Sequence, residues 1–470
     1  MTKYSTHTMD SLNRQGAQME GIILAAGTGR KMWPYSGHWQ KSAIPIANVP
    51  NVLRQVNILE SLGINKIKVV VGYREQQIKY ALRSKNVEYI QVPPEGTATA
   101  LNAAIEKESL VIYGDIAAHL TDIERTIEKY KDTRSPAALY SSLSRHERSI
   151  DWICCNVNGE QITSIYGHPR EHYVNGRMGG IYALDETIKP YLEQNPGHMK
   201  NISVGGMPPQ EAMLEQSLQI MIEDGKTITA VKAESPLIDM DKPWHLMEAN
   251  EEIIKQETAD PQQNDIDPTA DIHPSAIIEG KIKIGKNSQI GKNVIIKGNT
   301  IIGNNTTIDY GAIIEGNTII GDNTTITDYC KILPYTTIGN KNRIGYNAEI
   351  QGITLEGVSI THGSEMYGII GEYTDIAAGC ISGILRFDDA LNTPKVMGRT
   401  EIGSKYTNGI FIADHCRTGI ANIFMPGVMI GKNSVLGPGA TITKNVPEGT
   451  LLIVEQSQTY RDWGPDRYGW

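Results

Sequence analysis

Three separated groups of residues in this chain have types and spacing suited to chemistry. The first is Leu24-Ala25-Ala26-Gly27-Thr28-Gly29-Arg30-Lys31-Met32-Trp33-Pro34, followed by Gln40-Lys41-Ser42-Ala43-Ile44-Pro45-Ile46. It sets a Gly-rich turn, through which a backbone can approach a ligand closely, beside an arginine and two lysines. The second is a pair of carboxylates. Asp115 follows Gly114 at the end of an apolar run, and Asp239 lies in Ile238-Asp-Met-Asp-Lys-Pro-Trp244. Two carboxylates suit Mg²⁺, which takes oxygen ligands and keeps several waters. The third is His362, an imidazole of the kind that serves as general base near neutral pH. Each alone has an ordinary explanation: a turn for the glycines, a solvated side chain or helix cap for an aspartate, a surface site for the histidine.

Elements that position these residues are legible around them. Residues 21–24 read as a short apolar strand entering the Gly-rich turn. Amphipathic helices are predicted at 52–62, 76–82 and 97–105, and strands at 67–71, 87–91 and 110–113. This alternation predicts a parallel sheet covered on both faces, with ligands at the carboxyl ends of its strands. A helix at 244–255 closes the domain. The expected organisation is a disordered leader at 1–19, a first domain at 20–257 and a Pro- and Asp-rich linker at 258–271. A second domain at 272–455 and a polar, aromatic tail at 456–470 follow.

The second domain has a strict period. Isoleucine stands at every sixth position from Ile272 to Ile350, fourteen times without a gap. A fixed period of this kind marks a solenoid. The fifth position of each hexad is small or β-branched, apart from Ile282, Cys330 and Asn342. The pattern resembles the hexapeptide repeat of left-handed parallel β-helices, in which isoleucine fills the interior of a triangular coil. The period slips after Ile350 and resumes at Ile370, Ile376, Ile430, Leu436 and Ile442. Such interruptions mark loops on a binding face.

The first motif resembles the signature of sugar-1-phosphate nucleotidyltransferases. The resemblance implies a Rossmann-like α/β domain in which Leu24, Ala25, Ala26, Gly27, Gly29 and Arg30 approach the nucleotide phosphates. Lys31 and Lys41 would neutralise the triphosphate and the sugar phosphate. Gln91, Gly96 and Thr97 match the family's pyrimidine-reading segment. Gly114 and Asp115 match the strand end that binds nucleotide and Mg²⁺, and Asp239 matches the second metal-binding aspartate. The implied reaction is in-line attack by a sugar-1-phosphate oxygen on the α-phosphorus of UTP or dTTP, with pyrophosphate leaving. In the sugar pocket the chain departs from the pattern. Gly167-His-Pro169 replaces Glu-Lys-Pro, and Met178-Gly-Gly180-Ile-Tyr182 replaces Asn-x-Gly-Ile-Tyr. Gly180 is the retained sugar-pocket residue, and Glu171 and Asn175 lie near in sequence.

Residues 350–450 resemble the acetyltransferase half of archaeal bifunctional sugar-phosphate enzymes, through Ile381-Ser-Gly-Ile-Leu-Arg-Phe-Asp388, Arg417-Thr-Gly-Ile420 and Met425-Pro-Gly-Val-Met-Ile-Gly431. The resemblance implies acetyl-CoA as co-substrate, His362 as general base, and Tyr367 and Lys395 as substrate-binding residues. Ile384 and Ala421 replace family asparagines, and the segment after His362 is one residue short. Relatives of this kind trimerise through the β-helix, so a homotrimer is expected.

Bulk properties narrow the field. The net charge is −9 with no basic tract, which argues against nucleic acid. No run reaches the roughly 20 apolar residues of a membrane span, and the polar N-terminus is no secretory signal. The five cysteines show no metal-ligand spacing and read as reduced core residues of a cytoplasmic protein. Three functions remain open on the residues. They are a nucleotidyltransferase with an appended hexapeptide domain, a degenerate regulatory or scaffold paralogue that binds nucleotide sugar without turnover, and an acyltransferase with a vestigial first domain.

Overall fold

A computed structural model describes residues 19–143, 148–170, 173–202, 210–259 and 263–464. Residues 1–18 of the expected leader, the end of the tail and Glu171 lie outside the described residues. Met19, read as the end of the leader, is a buried residue of the first core. The chain forms two compact units, Met1–Ile253 and Ile254–Trp470.

In the first unit the elements follow as β1 (Glu20–Ala25), β2 (Pro45–Ile46), β3 (Val49–Pro50), α1 (Asn51–Ser61), β4 (Ile67–Val71), α2 (Glu75–Ala81), β5 (Glu88–Gln91), α3 (Thr97–Ala104), β6 (Ser109–Tyr113) and β7 (Ile116–Ala117). Then come α4 (Leu120–Thr133), β8 (Ala137–Ser142), β9 (Ile153–Asn158), β10 (Gln161–Gly167), β11 (Gly176–Leu184), α5 (Lys189–Glu193), α6 (Leu214–Glu223), β12 (Thr229–Lys232) and β13 (Ile238–Asp239). Helix α7 (Pro243–Glu257) ends the series.

The main sheet runs β5-β4-β1-β6-β11-β8-β12-β10-β9. Its first four strands are parallel, as the alternation predicts. All residues of β1 and β4 are buried, as expected of strands covered on both faces. The wholly parallel sheet is corrected beyond β6. There β11 runs antiparallel to β6 and β8, and β10 antiparallel to β12 and β9. For β9 and β10 the reason is connectivity, since they form a hairpin and a short turn can only reverse the chain, whereas β11 takes its direction from β6 and β8, partners distant in sequence. Helix α1 buries Val52, Val56 and Leu59, one stripe at helical spacing. Glu20 starts β1 fully buried. It is 3.1 Å from Lys68, which is itself 2% exposed, and the pair is kept viable by further lysines on Glu20.

The second unit is a parallel β-helix, left-handed as its hexads imply. Its strands stack on the strands one coil away. Ile282 to Ile284 pairs with Thr300 to Ile302, and these with Thr318 to Ile320. The ladder isoleucines from Ile284 to Ile350 are all buried in one core. The prism begins before Ile272, which corrects the expected linker at 258–271. Strand β14 (Asp265–Ile266) already pairs with Lys283–Ile284, and β15 (Asp271–Ile272) with Gln289–Ile290.

The fifth-position residues explain their own selection. Ser288, Thr306 and Thr324 are buried, and their hydroxyls donate to the carbonyls of Gly303, Gly321 and Gly339 at 2.7 to 2.8 Å. The same hydroxyls accept from the amides of Thr306, Thr324 and Asn342 one coil on. Asn342, an exception to the small-residue rule, closes this ladder by donating to the carbonyl of Leu355 at 2.8 Å.

The slip after Ile350 has a local cause. Glu349–Thr354 runs straight through a corner, and so does Glu365–Ile370 above it. Glu349 therefore pairs with Glu365, sixteen residues on, whereas earlier coils step by eighteen. Gly352 and Gly368 lie at the straightened corner with φ of 128° and 143°. A Cβ on Gly352 would collide with the carbonyl of Gly368, and one on Gly368 with that of Ile410. After Ser382 the chain leaves the prism and returns at Ile410, whose strand pairs with Gly368 to Ile370.

Candidate functional site

The two motifs of the first unit meet at the carboxyl ends of β1 and β6. Gly29 takes the left-handed conformation and starts a short helical turn, Arg30–Met32, anchored by buried Met32. Leu24, Ala25 and Ala26 are buried at the end of β1, while Gly27 and Arg30 are exposed. Lys41 opens a second helical turn, Lys41–Ala43. Gln40, which stands in the family's proline position, fixes that turn. Its amide donates to the Ala25 carbonyl at 2.8 Å and accepts from the Ser42 N–H at 2.6 Å. Its own backbone N–H donates to Gln77 of α2.

Helix α1 positions the first carboxylate. Asn51 donates to the carbonyls of Gly114 and Ile116, and Gln55 to those of Tyr113 and Ile116. Four hydrogen bonds thus hold the turn that carries Asp115. Pairing of β7 with β13 sets Asp239 opposite Ile116, and the Met240 N–H donates to the Asp115 carbonyl.

The result is a cluster of charge. Lys41 Nζ lies 2.6 Å from Asp115, 3.8 Å from Asp239 and 3.4 Å from Asp241. Lys31 Nζ lies 2.9 Å from the other oxygen of Asp241. Burial disfavours the Lys41 ammonium, but Asp115, Asp241 and Asp239 together hold its pKa above the ordinary lysine range. Burial pushes the Asp239 carboxyl up to about 7, Asp115 and Asp241 adding to the effect and Lys41 opposing it. Burial likewise disfavours the Asp241 carboxylate, yet Lys41, Lys31 and Lys242 hold its pKa well below the usual carboxylate range.

The donor set fits a hard cation. Asp239 Oδ1 is buried and accepts no hydrogen bond, so its lone pairs are open to a metal. Among the described residues no three His, Cys, Asp or Glu side chains form a ready-made cage. Two carboxylates completed by phosphate and water are the usual protein contribution to Mg²⁺.

Sequence reasoning brought together Lys31, Lys41, Asp115 and Asp239 and missed Asp241. The missed signal was its spacing from Asp239, since residues two apart on extended chain share a face. Gln91 ends β5 exposed, beside an open groove lined by Gly72, Tyr73 and Pro93. Gly96 starts α3, with its Cα against the Ala212 backbone. The Thr97 hydroxyl accepts from the Leu214 N–H at 2.8 Å and lies 3.2 Å from the Tyr113 hydroxyl, so it braces the protein interior. Gly180 has φ of 68° within a bulge of β11, where a Cβ would strike Ile116.

At the positions matched in sequence to the family's sugar pocket, the departures are filled. A Cβ on Gly167 would already sit 3.0 Å from Met199 Cβ, and Met178 is 8% exposed. Asn175 is spent on the backbone of Val157, accepting and donating at 2.8 Å.

In the second unit His362 is exposed, with φ of 57°, and stacks on Tyr346 at 4.4 Å between centroids. Tyr367 lies on the straightened strand Glu365–Ile370, its ring 6.5 Å from that of Tyr406. Lys395 is exposed on a two-stranded hairpin, Lys395–Val396 with Arg399–Thr400, within the excursion that follows Ser382. Ile384 is 44% exposed in the same excursion, and its carbonyl accepts from Asn408. Asp388 is paired with Arg386 through two bonds of 2.9 Å.

A mixed Rossmann-like sheet with charged groups at its carboxyl edge, joined to a left-handed β-helix, defines a nucleotidyltransferase-type domain fused to a hexapeptide-repeat domain. Residues 21–194 match the model of the MobA-like NTP transferase domain, and residues 262–332 match that of the GMPPB C-terminal domain. The chain is 27% identical to the bifunctional sugar-1-phosphate nucleotidylyltransferase/acetyltransferase of Sulfurisphaera tokodaii, over 93% of its own length and 100% of that protein. It is 27% identical to the bifunctional protein GlmU of Methanocaldococcus jannaschii, over 94% of its length and 99% of that protein. The same identity and coverage hold for GlmU of Carboxydothermus hydrogenoformans. The chain is therefore a relative, along nearly its whole length, of the bifunctional sugar-1-phosphate nucleotidyltransferase/acetyltransferases, and it departs from the family pattern in both candidate sites.

Proposed function

We propose that the first unit is a sugar-1-phosphate nucleotidyltransferase that joins UTP or dTTP to a sugar-1-phosphate and releases pyrophosphate. The observation that carries this reading is Lys41, held among Asp115, Asp239 and Asp241 with Lys31 alongside. A sugar-1-phosphate oxygen attacks the α-phosphorus, the bond to the bridging oxygen breaks, and pyrophosphate departs. No covalent nucleophile on the protein is required. Lys31 and Lys41 orient the phosphates and neutralise charge as it moves to the leaving group. Asp115 and Asp239 would hold Mg²⁺, which supplies further positive charge to the triphosphate when bound. Leu24, Ala25, Ala26, Gly27, Gly29, Arg30, Gly96 and Gly114 shape the nucleotide cradle around them, and Gln91 faces the base.

The filled positions at Gly167 and Met178 point to a sugar unlike the one for which the family's Glu and Asn are built. The same positions, with Ile384, favour the second reading, a paralogue that binds nucleotide sugar without turnover. For the second unit the reading is acetyl transfer from acetyl-CoA to an amino-sugar phosphate. His362 would take the amine proton as nitrogen attacks the thioester carbonyl and CoA thiolate leaves, with Tyr367 and Lys395 binding substrate. A cytoplasmic homotrimer assembled through the prism completes the proposal. Among the described residues no helix is long and apolar enough to cross a membrane.

The test is pyrophosphate release by the full chain with Mg²⁺, UTP or dTTP, and a panel of sugar-1-phosphates. Release with one sugar is the expected result and names the substrate. Nucleotide binding without release from any pair would replace this reading with the non-catalytic one.

A further inference from the structure

Asp241 is an anion set among three lysines. Its two oxygens bridge Lys31 at 2.9 Å and Lys41 at 3.4 Å, and Lys242 lies 3.4 Å away. The backbone fixes it there. The Asp241 N–H donates to His245 Nδ1 at 3.3 Å, and His245 stacks on Trp152. Trp152 in turn carries the Arg177 guanidinium 4.4 Å above its ring, and Arg177 donates to the Leu237 carbonyl just ahead of β13. The segment is therefore clamped on both sides, and the Asp241 side chain is 20% exposed. Asp115 and Asp241 offset much of the charge with which Lys31, Lys41 and Lys242 would attract a triphosphate, and Asp239 adds to this when ionised.

We infer that Asp241 is an internal stand-in for a nucleotide phosphate: it occupies Lys31 and Lys41 in the free protein and must release them for a nucleoside triphosphate to bind. This rests on the reading of Lys31 and Lys41 as phosphate-binding residues. The consequence is a built-in threshold. A weakly held polyphosphate does not displace Asp241, and a divalent cation on the neighbouring carboxylates helps a triphosphate to do so by withdrawing negative charge from the lysines.

The experiment is calorimetric titration of the full chain with inorganic tripolyphosphate and with UTP, in excess EDTA and again with Mg²⁺. The parent, Asp241→Asn and Lys41→Met are compared, each checked by thermal unfolding. Asn preserves the shape and removes the charge. Asp241→Asn is expected to tighten Mg²⁺-free tripolyphosphate binding by roughly tenfold, the worth of one partly screened charge contact, and to narrow the gap between the two conditions. Unchanged or weaker Mg²⁺-free binding in Asp241→Asn, with Lys41→Met still weaker than the parent, overturns the stand-in while leaving the phosphate-binding lysines in place. Weaker binding in Asp241→Asn only when Mg²⁺ is present makes Asp241 a metal ligand, and also overturns it. Binding that Lys41→Met does not weaken refutes the phosphate-binding reading itself and the stand-in with it. Because tripolyphosphate has no base or sugar, a misassigned base or sugar pocket does not affect the result.

Discussion

Lys41 makes the site sensitive to single substitutions, because one ammonium is shared by three carboxylates. Lys41→Met removes the charge and keeps the stem. It is expected to lower kcat for pyrophosphate release by about 10² to 10³, the usual cost of one preorganised charge contact in a transition state. Steady-state assays with the protein shown to be folded check this, and unchanged kcat would remove Lys41 from the chemistry. Buried charge matters equally far from the site. Lys68→Met leaves the Glu20 carboxylate buried without its most enclosed partner, and is expected to cost about 3 to 5 kcal/mol in denaturant unfolding. Burial alone would raise the pKa of Glu20, but Lys66, Lys68 and Lys107 hold it below its ordinary value of 4.5. A carboxyl with a depressed folded pKa contributes stability above its unfolded pKa and loses it as pH falls through the folded one. The parent should therefore lose stability progressively as pH falls below about 4.5. Lys68→Met, lacking one of the three lysines behind that depression, should lose less across the same range. Parallel pH-dependent melts read the difference.

At the scale of elements, much was legible and the gaps have physical causes. The predicted strand at 67–71 is β4, and the helices at 52–62, 76–82 and 97–105 match α1, α2 and α3 to within a residue. Their apolar periodicity is a property of their own residues. The reversal at β11 was not legible, since strand direction depends on partners distant in sequence. Asn51 and Gln55 also went unnoticed. On a helix they read as surface polar residues, and only the packing of α1 reveals that they hold the Asp115 turn. The ladder isoleucines announced the prism, but Ile266, which keeps the same sixfold period, was hidden by the Pro and Asp residues around it. The hydroxyl ladder inside the prism makes a sharp prediction. Thr306→Val keeps the shape and strands the Gly321 carbonyl and the Thr324 N–H in a dry interior. It should cost about 1 to 3 kcal/mol in thermal or denaturant unfolding of the second unit. A neutral effect would mean that the ladder is filled by shape alone.

For the whole molecule, the resemblance of both halves to the bifunctional enzymes was visible in the sequence. The departures from the family pattern at Gly167, Met178 and Ile384 were visible too. What surrounds each departure became clear only in the structure, as with Met199 filling the space beside Gly167. The homotrimer is checked by light scattering of the full chain after size exclusion. A mass of three chains is expected, and a concentration-independent mass of one chain would overturn the proposed trimer.

The regular coil has one more consequence. Eighteen residues advance the second unit by one strand spacing, about 4.8 Å, with the same hydroxyl contacts repeated at each step. The prism is thus a ruler graduated in whole turns, and its length can change by integers without disturbing its cross-section. Excising one complete turn between Thr300 and Thr318 would bring the Lys395 hairpin one graduation nearer to the start of the prism and leave every inward-facing residue still facing inward. Within these regular coils, removing a number of residues that is not a multiple of eighteen would break the register, whereas a corner loop such as the excursion after Ser382 varies in length without disturbing it.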